Sequence, residues 1–124
     1  MSASLIRLSK ALHIIKQIKF RLRENKFTEE LRQSYMIDMN TISENLDLKQ
    51  SDALRQTYKE LFKEARGLHG QCTILDHKYE VAGVALEIDW SEVWKTLTYR
   101  LPEQLEPQLL NAIETEKSRQ DKTA

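Results

Sequence analysis

The sequence predicts an all-α protein, a single antiparallel bundle of four to five helices. Three observations predict it. Apolar residues recur at spacings of three and four along most of the chain, the mark of helices with one buried face. Capping residues, Thr28, Ser51 and Asp89, stand at the head of three of these periodic stretches. Three glycines and two prolines in 124 residues are too few for strands joined by tight turns.

The first helix is expected from about Ser4 to Arg23. Leu5, Leu8, Ala11, Leu12, Ile15, Ile18 and Leu22 gather on one of its faces. Ile6, His13 and Phe20, seven apart, make a second and thinner seam on the opposite side. The second helix begins at Thr28, with Glu29 and Glu30 well placed in its first turn. Leu31, Tyr35, Met36, Met39, Ile42 and Leu46 form its core face, and it ends near 47–50. The third helix starts with Ser51 as its cap and buries Leu54, Tyr58, Leu61, Phe62, Ala65 and Leu68. Near Gly70 it either ends or bends and continues, since Ile74, Leu75, Tyr79 and Ala82 keep a helical spacing. Residues 83–89 alternate instead and read as an extended link. The fourth helix opens at Asp89, with Glu92 three residues on as in a capping box. Val93, Trp94, Leu97 and Leu101 are its apolar side, and Pro102 is expected to stop it. A short last helix then carries Leu105, Leu109, Leu110 and Ile113, with Pro107 awkwardly inside it. The bundle domain spans residues 1–116, and residues 117–124 form a polar tail that frays.

Apolar residues make up 40% of the chain, enough for one core, and charged residues 31%, which suits a solvated helical surface. No apolar run approaches the ~20 residues of a membrane-spanning helix. One cysteine forms no internal disulfide, and a cytoplasmic protein is expected. The net charge of zero hides a split. Residues 1–26 carry seven Lys/Arg and one acid, a net +6, and the other 98 residues carry a net −6. A basic start can mark a transit peptide. Here the helical pattern runs straight into the domain, so a basic helix of the bundle is expected instead. Its bases flank the apolar stripe on both edges, where their stems lie along apolar surface and their charges reach water.

Chemistry-bearing residues crowd into one stretch, "CTILDHKYEV", from Cys72 to Val81. His69, Cys72, Asp76 and His77 are all types that bind metals, but their spacing matches no strong zinc pattern and no metal site is assigned. Nucleophilic catalysis by Cys72 with a histidine base lacks an oxyanion donor in the sequence. No glycine-rich phosphate loop is present. No cofactor is expected.

The order of features also resembles the HEPN (higher eukaryotes and prokaryotes nucleotide-binding) helical domains, especially the small HepT-type toxins. The resemblance rests on "ENKFTEEL" after the first helix, on His77 and Tyr79 in "DHKYEV", and on "EVWKTLTYRLPEQL". It loosely covers most of the chain. It implies a helical fold and a metal-independent ribonuclease, with His77 at the cleavage site and Tyr79 tied to nucleotidylation by a partner transferase in a toxin–antitoxin pair. The family motif places an arginine five residues before the histidine. Here that position is Cys72.

The leading expectation is therefore a non-catalytic helical interaction module: an assembly subunit, an adaptor or an inhibitor. Ile6, His13, Phe20, Lys16 and Lys19 are its candidate partner-binding residues. The partner is expected to be another protein or a second copy of the chain, with nucleic acid along residues 1–26 as the alternative.

Overall fold

The computed structural model describes residues 2–24, 27–48, 50–82 and 88–123, with side chains for all of these except 47–48, 77–82 and 121–123. Every regular element in it is helical, and the chain forms one all-α bundle. Helix α1 spans Ala3–Arg23 and α2 spans Glu29–Ser43, extended by one π-helical turn at Glu44–Leu48. Helix α3 (Asp52–Thr57) leads through Tyr58 into the long α4 (Lys59–Ala82). Helix α5 (Trp90–Lys95) runs through a π-helical segment, Thr96–Leu105, into α6 (Glu106–Thr123).

Side-chain bonds across the interfaces give the directions. Lys19 meets Glu106 while Ser2 meets Gln120, so α1 and α6 run antiparallel. Asn40 meets Asp76 and Ser43 meets His69, so α2 and α4 do too. Gln71 meets Thr96 and Glu64 meets Arg100, which sets α4 against the α5 end of the last helix. The result is a ring of α1, α2, α4 and the α5–α6 rod, each antiparallel to its neighbours, as in an up-and-down bundle.

The core is made by the stripes that the periodicity marks. Leu5, Leu8, Ala11, Ile15 and Ile18 of α1 are buried against Tyr35, Met39 and Ile42 of α2, Leu61, Phe62, Ala65 and Leu68 of α4, and Leu97, Leu101, Leu105 and Leu109 of the last rod. Two serines cap as their type predicts: Ser2 Oγ accepts from the Leu5 amide and Ser51 Oγ from the Leu54 amide. Thr28 stands at the N-cap of α2 but makes no side-chain capping bond. Asp89 accepts from the amide and the hydroxyl of Ser91, while Glu92 turns to Lys95, so the reciprocal half of the expected box is not made.

Three expectations are corrected. Pro102 does not stop the helix. Leu97, Leu101, Leu105 and Leu109 are all at most 1% exposed. A strict spacing of four drifts by about 40° per step around an α-helix. The π-helical segment winds more slowly and keeps these leucines facing the core. There the Glu106 amide bonds back five residues to the Leu101 carbonyl. The wider turn also accommodates the missing Pro102 amide. The break in the third helix falls at Tyr58, whose backbone leaves the helical region and whose hydroxyl reaches Glu116 on α6. Of the two expectations for Gly70 the second holds: the helix does not end there, and α4 continues past it to Ala82. Leu110 and Trp94, expected on core faces, are exposed at 36% and 40%. Trp94 packs on Phe27 at 4.9 Å between ring centres. Residues 117–123, the expected polar tail, lie on the backbone of α6. The expected extended link lies, over residues 83–87, outside the described residues.

Leu61 and Leu97 are 2% and 0% exposed. Truncating either to alanine is expected to cost about 2–5 kcal/mol in denaturant unfolding, the range for a buried leucine. A negligible change at both would mean that these stripes do not form the core.

Candidate functional site

Two regions hold the candidate residues: the Cys72–Val81 stretch on α4 and the outer face of α1. Cys72 lies on the core side of α4 and is 3% exposed. Burial, reinforced by the Asp76 carboxylate one turn on, pushes its thiol up to about 12. A thiolate is the nucleophile and the metal ligand, so this cysteine is chemically quiet at neutral pH.

Its neighbours are engaged in packing. His69 Nδ1 lies 3.1 Å from the hydroxyl of the buried Ser43 on α2. Asp76 Oδ1 accepts from Asn40 at 3.2 Å. Among the described residues no three His, Cys, Asp or Glu side chains gather as a metal site requires. His77 and Tyr79 continue the backbone of α4, and their side chains lie outside the described residues.

An arginine does approach α4, from across the bundle. Arg100 bonds Glu64 at 3.3 Å and lies directly over Gly67, where a Cβ would overlap its guanidinium. That glycine is thereby explained by close approach. Gly67 stands ten residues before His77, roughly 15 Å along the helix axis.

The outer face of α1 is different. The helix carries six bases and no acid. Ile6 is 42% exposed, Phe20 62%, and His13 is also exposed. The seam divides between two shallow grooves. Ile6 and His13 join Ser9, Lys10, Ile14, Thr41 and Asn45 in a mainly apolar groove of about 440 Å³ between α1 and α2. Phe20 instead lies with Lys16, Lys19, Arg23 and Leu110 in a groove toward α6. Gln17 bridges the seam by its contact with His13.

The two candidate lysines also separate. Lys16 is exposed, and no described acid pairs with it. Lys19 bonds the buried Glu106 at 2.8 Å, so much of its charge is used within the bundle. Arg21 is likewise held by Asp38 at 2.7 Å. Ile14, Thr41, Asn45 and Leu110 were not singled out from the sequence as surface residues. The long-range packing of α1 against α2 and α6 assigns them.

Comparison of the chain with protein-family models, with characterised proteins and with solved structures brings no significant match.

Three outcomes are expected. Cys72 resists alkylation at pH 8 in the folded protein and reacts once denaturant is added. Its folded pKa stands above the ordinary value of 9.0. The stability that its neutral form contributes is thus intact below pH 9 and is lost as pH rises from there toward about 12. A Cys72→Ala variant should lack this component in alkaline melts. Separately, Lys19→Ala should destabilise by about 1–3 kcal/mol, because it strands the buried Glu106 carboxylate. Lys16→Ala should change stability by less than about 0.5 kcal/mol. Equal effects of the two on thermal melting would refute the distinction.

Proposed function

We propose that this protein is a non-catalytic helical interaction module, an assembly subunit, adaptor or inhibitor that works through protein–protein contacts. One observation carries the reading: the main stripe of α1 is buried in the core, yet Ile6 and Phe20 remain on its outer face at 42% and 62% exposure. A lone monomer gains nothing by presenting two large apolar side chains on a helix that has already buried its stripe. The residues that would suggest chemistry support the same reading. Cys72 is buried, and His69 and Asp76 are hydrogen-bonded to α2. No described helix is long and apolar enough to cross a membrane. The module is proposed to act in the cytoplasm, where its single cysteine remains a thiol.

The test separates binding from cleavage. Purified protein is expected to leave RNA intact, and His77→Ala is expected to have no effect on growth when expressed in the native host. Pull-down from that host, read by mass spectrometry, should recover a protein partner. Ile6→Glu combined with Phe20→Glu should lose that partner while keeping helicity and melting temperature. Metal-independent RNA cleavage that disappears in His77→Ala would replace this reading with the HEPN-like ribonuclease.

A further inference from the structure

The outer face of α1 has a chemistry of its own, and that chemistry selects among partners. Its centre line holds Ile6, His13, Gln17 and Phe20. Ile6 and Phe20 are about 21 Å apart along the axis, close to four helical turns. Lys10 and Lys16 stand on either side of that line, exposed and without a described acidic partner. Arg23 extends the basic edge on the α6 side. Two shallow grooves flank the line, a mainly apolar one holding Ile14 and a mainly charged one holding Leu110.

We infer that this face binds an acidic amphipathic helix of another protein, with its apolar stripe laid along Ile6 and Phe20 and its carboxylates toward Lys10 and Lys16. The inference rests on the interaction-module reading and names the partner's chemistry. Apolar anchors spaced by whole turns suit a helix laid in a groove. Flanking charges of one sign fix the orientation and the sign of the partner.

The same features disfavour other occupants. A second copy meeting α1 antiparallel about His13 would set Ile6 against Phe20 of the other copy, which is favourable. It would also set Lys10 against Lys16 and bring one acid-free basic helix onto another, which is repulsive. Nucleic acid would use the bases, but Lys19 and Arg21 are already paired with Glu106 and Asp38. The remaining lysines straddle a line whose two ends, Ile6 and Phe20, offer phosphates nothing, and Phe20 is the only Phe, Tyr or Trp on α1 for a base to stack on.

The probe is a fluorescein-labelled synthetic helix of about five turns, with leucine at heptad a and d positions and glutamate along both edges. A second peptide of the same composition, permuted so that no apolar face forms, is the control. Binding to the full chain is read by fluorescence anisotropy at low salt. The patterned peptide should bind saturably and the permuted one much more weakly. Ile6→Ser with Phe20→Ser should weaken binding by about tenfold or more, as loss of central apolar anchors does. Lys10→Glu with Lys16→Glu should do the same, and added salt should weaken the wild type. Circular dichroism melts of both double variants should match the wild type.

Failure of the patterned peptide to bind overturns the inference, as does equal binding of the permuted one. So does binding that survives both double variants. Preferential binding of single-stranded RNA that ignores Ile6 and Phe20 would make nucleic acid the partner. A concentration-dependent dimer that Ile6→Ser with Phe20→Ser abolishes would make it a second copy. If the peptide fails while a host protein is captured by the wild type and lost by that variant, the acidic-helix inference falls and the module reading stands. RNA cleavage lost in His77→Ala would instead remove the module reading itself.

Discussion

Helix α1 has one apolar stripe to bury and two neighbours to share it, α2 and α6. The rest of the bundle follows from that division. Leu5, Leu8, Ala11, Ile15 and Ile18 turn wholly inward. The edges of the stripe are then pinned by two ion pairs near the C-terminal end of the helix: Arg21 to Asp38 on α2, and Lys19 to the buried Glu106 on α6. Rolling α1 to cover Phe20 would break one pair or the other and pull a core residue into water. Exposure of the Ile6–Phe20 line is thus a consequence of how the interior is satisfied.

The polar residues that look most like chemistry mainly set the register of α4. Ser43 and His69, Asn40 and Asp76, Gln71 and Thr96, Glu64 and Arg100 each join α4 to a different level of its neighbours. Apolar stripes of leucine slide past one another at little cost, whereas each of these pairs forms at one register only, and where it is part-buried, as at His69, Gln71 and Arg100, an unmade partner costs desolvation. Gly67 serves the same end, because the Arg100 side chain crosses the helix where a Cβ would stand. Cys72, within this framework, packs as a small apolar side chain.

The last rod follows a related logic. Tertiary burial of four leucines spaced by four outweighs the local tendency of Pro102 to end a helix, and the π-helical segment is the backbone solution. The route of that rod also brings Glu106 to Lys19 and leaves Leu110 beside Phe20. One backbone adjustment therefore shapes both the core and the surface next to the proposed binding face.

The fold class was legible in the sequence because helical periodicity is a local property: spacings of three and four decide which side of each segment is apolar before any partner is present. The core faces of α1, α2 and α4, and the caps at Ser51 and Asp89, were readable for that reason. The basic, acid-free character of α1 and its outward Ile6, His13 and Phe20 were readable too. The partner of a charge was not. Lys16 and Lys19 look alike in the sequence, and only packing 87 residues apart in the chain ties Lys19 to Glu106. Nor were the break at Tyr58, the passage through Pro102, or the exposure of Leu110 and Trp94. Each of these is settled by contacts between distant segments, whose energies exceed the local preferences that a sequence displays.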